Sequence, residues 1–196
     1  MTLRARRLWP LMMAWSFAAA SAKAGPFEDG VAAYRRQDYA TAMSLFLPLA
    51  KNGNAAAQYN LGVMYGEGQG VPQDDQQALY WYRQTADQGD ADAQLSLGLM
   101  YAKGQGVAQD YQQAVFWYRK AAERGNPTAQ FNLGLKYANG QGVSQNDQQA
   151  YFWWLLASMN GDADSIKHRD IAESLLTPQQ RAAAQADARQ WKPSKP

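Results

Sequence analysis

The chain has 196 residues, 46% hydrophobic and 18% charged, with no cysteine and a single histidine, His168. That composition can fill one core and excludes disulfide staples, thiolate catalysis and histidine-rich metal sites. The formal charge of +2 belongs to the whole chain, and its distribution decides what it implies about partners.

Residues 1–24 read as a secretory signal peptide. Arg4, Arg6 and Arg7 form a basic start, Leu8 to Ala20 an apolar stretch, and Ala22-Lys23-Ala24 a small-residue cleavage site, so cleavage is expected after Ala24. Leu8 to Ala20 is short and interrupted by Pro10, whereas a bilayer span needs roughly 20 apolar residues. No stable membrane insertion is expected after processing, and the expected location is periplasmic or secreted. Cleavage removes four of the 19 basic residues and none of the 17 acidic ones, leaving a net charge of −2. The basic pI of 8.8 is therefore a property of the precursor, and a nucleic-acid partner is not expected.

Residues 25–53 form a short helix pair. From Tyr34 to Ala42 is eight residues, where the corresponding interval in the next unit, Tyr65 to Ala78, is thirteen, so a tight turn at Gln37-Asp38 replaces a longer linker. Ala42, Phe46, Leu49 and Gly53 stay in phase with Ala78, Tyr82, Thr85 and Gly89. The pair is expected to cap the N-terminal end of the repeats that begin at Asn54, and its spacing resembles an ordinary tetratricopeptide hairpin.

Three full units repeat at 36-residue spacing over 54–89, 90–125 and 126–161. Such a period marks an array in which no unit buries its apolar face alone. Leu61/Leu97/Leu133, Gly62/Gly98/Gly134, Tyr65/Tyr101/Tyr137, Ala78/Ala114/Ala150 and Trp81/Trp117/Trp153 are identical in all three. The first helix starts at an N-cap, Asn54, Asp90 or Asn126, and buries the stripe Ala57, Leu61, Tyr65. Glycine in a helix interior costs about 1 kcal/mol against alanine, so the recurrence of Gly62 predicts a close approach there by another helix backbone.

The Gly-x-Gly-Val linkers ending at Val71, Val107 and Val143 join helix to helix and lack the strand and lysine of a phosphate-cradling loop. They are read as positive-φ connections. Asp74 to Gln77, Asp110 to Gln113 and Asn146 to Gln149 are expected to be capping boxes opening the second helix, whose face carries Ala78, Trp81, Tyr82 and Thr85 and which closes on Gly89. Helices of about 12 residues are marginal alone, and burial of their aromatic residues favours stacking.

After Gly161 the phase fails, since Arg169 and Asp170 stand where leucine and glycine are due. A helix is expected over about 164–176, then a capping box at Thr177-Pro178-Gln179-Gln180 and a last helix with the stripe Ala184, Ala188, Trp191. Residues 162–191 thus form the C-terminal cap. Residues 192–196 are expected to fray, and His168, between Lys167 and Arg169, to be solvated.

The repeated A-x-x-x-L-G-x-x-Y, G-x-G-V and A-x-x-W-Y signatures resemble the Sel-1-like repeat family, relatives of the tetratricopeptide repeats. The resemblance implies an all-α fold, a right-handed α/α superhelical solenoid of antiparallel helix pairs, acting as a protein-binding scaffold and not as an enzyme. Some cysteine-rich members of the family are associated with β-lactam binding or hydrolysis, but their disulfides are missing here, and no serine has a lysine or histidine at an activating distance in sequence.

Positions that differ between repeats are the candidates for recognition. By analogy with tetratricopeptide arrays the first helices line the binding surface, where Tyr59/Leu95/Phe131 and Asn60/Ser96/Asn132 repeat and Lys136 replaces Met64 and Met100. Tyr59, Asn60, Ser96, Phe131, Asn132 and Lys136 are the expected partner-binding residues, the asparagines by hydrogen-bonding an extended peptide and the rings by contact area, with core packing the alternative role for Tyr59 and Phe131. Tyr151 to Met159 is apolar nearly all round: either the C-terminal pair covers it, or Leu155, Leu156 and Met159 form a docking patch. A ladder of Tyr80, Phe116 and Phe152 is the candidate for stacking on cell-wall glycan. The partner expected is a protein, and nothing calls for a cofactor.

Overall fold

The computed structural model describes residues 25–159 and 161–194. Residues 1–24, where the signal peptide is expected, lie outside the described residues, as does the end of the tail. Ten helices account for the described chain: α1 Pro26–Arg35, α2 Tyr39–Lys51, α3 Ala55–Glu67, α4 Asp75–Asp87, α5 Ala91–Lys103, α6 Tyr111–Glu123, α7 Pro127–Asn139, α8 Asp147–Ser158, α9 Ala163–Leu175 and α10 Pro178–Gln190. Each packs on its neighbours in sequence as far as α9, whereas α10 turns back onto α8. The fold is an all-α solenoid.

Local chemistry fixes the helix starts. Asn54, Asp90 and Asn126 each accept the backbone N–H three residues on, at 2.8–2.9 Å, which satisfies one of the four donors a helix start leaves open. The second helices differ from the expected capping box. Asp74 and Asp110 accept from the backbone at Gln77 and Gln113, and Asn146 from that at Gln149, but no glutamine side chain closes back. The reason is that the N-cap N–H is already bonded: Asp74, Asp110 and Asn146 donate to the carbonyls of Tyr65, Tyr101 and Tyr137 at 2.9–3.0 Å. A bond that ties the second helix to the first makes the reciprocal one redundant. The complete box occurs at Thr177 and Gln180.

The glycines of the first helices are close contacts, but their partner is a ring and not a backbone. A Cβ on Gly62 would lie 2.7 Å from the Tyr82 ring, on Gly98 2.5 Å from Tyr118, and on Gly134 2.6 Å from the Trp154 indole. Gly30 holds the same place against Phe46, although the short first unit hides it from the repeat register. The backbone approach is found at the second linker glycine instead. Gly70, Gly106 and Gly142 have φ of +75°, +67° and +74° and lie against the backbone of Tyr39, Asp75 and Tyr111, where the second helix of the preceding unit begins.

The core runs across units, as stacking requires. One cluster joins Ala86 of α4, Ala93 and Leu97 of α5, and Trp117 of α6. Another carries Ala121 and Ala122 of α6, Leu133 of α7, Trp153 and Leu156 of α8, and Ala188 of α10. At about 25 cal/mol per Å² of apolar surface, these shared indoles bind each unit to the next.

Gln58, Gln94 and Gln130 are buried polar side chains, and they are identical in the three repeats. Their amides donate to the carbonyls of Ala50, Ala86 and Ala122 at 3.0–3.1 Å, joining each first helix to the end of the preceding second helix. They were not among the expected core residues.

The tail does not fray as far as Ser194. Ser194 donates to the Glu123 carbonyl through its backbone N–H at 2.8 Å and through its hydroxyl at 3.2 Å, while Trp191 and Pro193 lie beside Gly125. The chain end is thus drawn across the C-terminus of α6, where carbonyls lack helical partners.

Candidate functional site

The first-helix ladder is half-exposed along its length: Tyr59, Asn60 and Val63, then Leu95, Ser96 and Leu99, then Phe131, Asn132, Leu135 and Lys136. The polar members bond first to their own helix. Asn60 Nδ2 donates to the Ala56 carbonyl at 2.7 Å, Ser96 Oγ to Asp92 at 2.9 Å, and Asn132 Nδ2 to Thr128 at 2.8 Å. Each bond uses the one hydroxyl proton, or one of two amide protons; the oxygens of Asn60 and Asn132 keep their lone pairs free, whereas Ser96 Oγ has the Tyr59 and Tyr82 hydroxyls as hydrogen-bonding neighbours. What the ladder presents is chiefly the Asn60 and Asn132 acceptors, suited to the N–H groups of an extended peptide.

The candidate residues are not brought into one groove. Val63, Glu67, Tyr82, Ser96, Leu99 and Lys103 line a cleft between the first two repeats. Tyr59 packs against the neighbouring core with its ring 5.6 Å from that of Tyr82. Burial first, and then the Asp92 carboxylate, push its phenol pKa up, so it remains a neutral hydroxyl.

Phe131 belongs to a different cleft, with Pro127, Thr128, Asp162 and Ser165. His168 of α9 stands edge-on to its ring at 5.1 Å, and also 5.2 Å from Trp154. His168 is therefore not simply solvated: its Nδ1 lies 2.8 Å from the Asp164 carbonyl and its ring completes an aromatic group.

Lys136 is held in place, with Nζ donating to Gln141 Oε1 at 2.8 Å and lying 4.4 Å from the centre of the Tyr111 ring. Desolvation lowers its pKa. This lysine bridges the second and third repeats instead of projecting freely.

The apolar surround of α8 has a packing explanation. Leu156 is buried against α10, which removes it from any docking patch, and Leu155 is half-buried on the same core. Met159 is 66% exposed. In the earlier repeats the position of Leu155 is arginine: Arg83 lies over the next unit's Trp117 ring at 4.8 Å, and Arg119 donates to Tyr137 Oη at 2.8 Å. At Leu155 α10 takes the place of a next unit. The same helix covers the aromatic ladder's last member, leaving Tyr80 and Phe116 exposed while Phe152 lies beside Asp187, Gln190 and Trp191.

Among the described residues no group of three or more histidine, aspartate or glutamate side chains could hold a metal, and no helix is long and apolar enough to cross a membrane.

Helix pairs sharing their core from unit to unit, with a repeated half-exposed face, define an α-helical repeat scaffold. The Sel1 repeat matches at residues 55–90, 91–126 and 127–162, one residue later than the sequence units, and the chain belongs to the Sel1 repeat family. A crystal structure of a Sel1 repeat protein from Oxalobacter formigenes is 34% identical with a TM-score of 0.71, over 74% of this chain and 60% of that one. A protective antigen present in uropathogenic Escherichia coli strains, displaying the SLR fold, is 30% identical with a TM-score of 0.52, over 85% of this chain and 44% of that one. The chain spans less than two thirds of either solved protein. No curated protein matches it. The Sel1 repeat is in general a non-catalytic scaffold for protein interactions.

Proposed function

We propose that this protein is an exported, non-enzymatic scaffold of the bacterial cell envelope that holds a protein partner on its first-helix face. One observation carries the binding mode: Asn60, Ser96 and Asn132 recur at the same place in successive repeats, half-exposed, with acceptor oxygens left open on the two asparagines. An extended segment of the partner would donate backbone N–H groups to these oxygens and rest its side chains on Val63 and Leu99. Export rests on the charge and apolar pattern of residues 1–24, and the solved neighbours are bacterial.

Crosslinked affinity capture from envelope extracts tests the reading, with Leu99→Arg as the paired bait. A protein enriched by the native chain and lost with Leu99→Arg, at unchanged thermal stability, supports it; equal recovery with both baits refutes the site. The exposure of Tyr80 at 52% and Phe116 at 46% favours a second reading, glycan stacking. Sedimentation with purified peptidoglycan that is lost in Tyr80→Ala would establish it.

A further inference from the structure

Two glutamines open every second helix, Gln76-Gln77, Gln112-Gln113 and Gln148-Gln149, and both are identical in the three repeats. Neither packing nor capping accounts for their side chains. None is buried, and the helix starts use only backbone N–H groups here. Among the described residues no side-chain amide of the six is hydrogen-bonded. Residues three and four apart are neighbours on a helix, so each pair stands one turn before a ring of the aromatic ladder, Tyr80, Phe116 or Phe152.

In the last unit α10 turns this pairing into a depression. Gln149 and Phe152 of α8 form one wall, and Asp187, Gln190 and Trp191, at i, i+3 and i+4 along α10 and its C-cap, form the other. Its volume of about 360 Å³ lies within the roughly 300–1,000 Å³ of ligand clefts. Both rings are half-buried, seated on the core, and Phe152 is held edge-on to Trp153 at 5.0 Å. Asp187 is exposed and has no ion pair among the described residues. It stands in the last turn of α10, where a carboxylate opposes the helix dipole, so helix stability does not explain it.

We propose that the depression between α8 and α10 is a saccharide subsite that takes an N-acetylated hexosamine unit of a glycan chain. It rests on the glycan reading of the second-helix face and adds which sugar is held and where. A pyranose has an apolar face of C–H groups and an edge of hydroxyls. Phe152 and Trp191 supply apolar surface to the face, and the Asp187 carboxylate accepts from hydroxyls in charge-assisted bonds. A carboxamide carries both donor and acceptor, so Gln149 and Gln190 match the N–H and C=O of an acetamido group. The one charged group lining the depression is an anion, which disfavours sugars bearing carboxylates or phosphates.

Isothermal titration calorimetry of the full exported chain tests this, with a β-1,4-linked N-acetylglucosamine tetramer as the probe and glucose and galacturonate tetramers as controls. The acetylated tetramer should bind more tightly than the glucose tetramer, and the galacturonate tetramer should not bind. Asp187→Ala should weaken binding about tenfold and Gln149→Ala about threefold or more. Asp187→Ala should do so without lowering Tm, an outcome that a purely structural role would not give. Tyr80 stands on α4, two repeats away, so Tyr80→Ala should leave tetramer affinity within about twofold. An inert acetylated tetramer, a glucose tetramer bound equally well, or binding unchanged in both Asp187→Ala and Gln149→Ala would each overturn the proposal. Failure of the ladder looks different: peptidoglycan sedimentation is then indifferent to Tyr80→Ala while the tetramer still requires Asp187.

Discussion

Gly98→Ala sets two effects of opposite sign against each other. Alanine favours a helix interior over glycine by about 1 kcal/mol, so on an open helix the substitution stabilises. Here the new Cβ would stand 2.5 Å from Tyr118 Cδ1 and 2.6 Å from Cε1. Tyr118 is 1% exposed and is packed within the core cluster. Overpacking a filled core costs about 1–3 kcal/mol, so the expected net effect is a destabilisation of up to about 2 kcal/mol. For a domain of this size that lowers Tm by up to roughly 8 °C. The assay is thermal and urea unfolding of Gly98→Ala in two backgrounds, native and Tyr118→Ala. With the ring removed, the alanine should become neutral or stabilising by up to about 1 kcal/mol, a reversal of sign that a double-mutant cycle measures directly. If Gly98→Ala stabilises the native protein, or destabilises equally in both backgrounds, the ring contact is not why glycine stands there.

Gly106→Ala should cost more than Gly104→Ala. Both need positive φ, but a Cβ on Gly106 runs into the Asp75 carbonyl, whereas one on Gly104 meets the Gln109 side chain and backbone at 3.3 Å; urea midpoints should rank them, with the left-handed penalty of about 1–2 kcal/mol common to both. Gln58→Leu should destabilise by about 1 kcal/mol more than Gln94→Leu, because Gln58 Oε1 accepts from Gln88 at 2.7 Å while Gln94 Oε1 is buried without a partner. Equal midpoints for the two would contradict this. Burial raises the Tyr118 pKa above its ordinary 10.0, so its hydroxyl ionises more readily in the unfolded chain. Its contribution is therefore whole below about pH 10 and falls as pH rises further. Tyr118→Phe should flatten that alkaline loss in urea titrations at pH 8 to about 11, and an unchanged slope would rule out Tyr118 as its source.

The array was legible because its signals are local and occur three times. N-caps, linker glycines and the alternation of helices each depend on a few adjacent residues, and repetition separates them from chance. What stayed hidden lies between units. Gly62, Gly98 and Gly134 marked a contact but not its partner, because the opposing ring changes from tyrosine to tryptophan. Gln58, Gln94 and Gln130 were passed over because glutamine on an amphipathic helix ordinarily faces water, although three identities at a polar position were the available sign. On the candidate face, the sequence displayed the ladder of Asn60, Ser96 and Asn132, but the use of their protons within their own helices depends on rotamers. The burial of Leu156 and the contact of His168 with Phe131 depend on elements that leave the repeat register.

Those departures have a common origin in the placement of α10. A fourth full unit would have set a second helix against α9. Instead the Ala184 and Ala188 stripe lies on α8, where it covers Leu156 and Phe152, and the chain beyond it reaches the end of α6 through Ser194. Arg181 keeps a tie to Glu173 of α9, at 3.7 Å, but both groups are solvent-exposed enough that such a pair contributes little. The cap is thus held by apolar contact with α8 and not by pairing with α9. Closing the array onto α8 leaves the outer side of α9 uncovered, with Ile171 52% exposed.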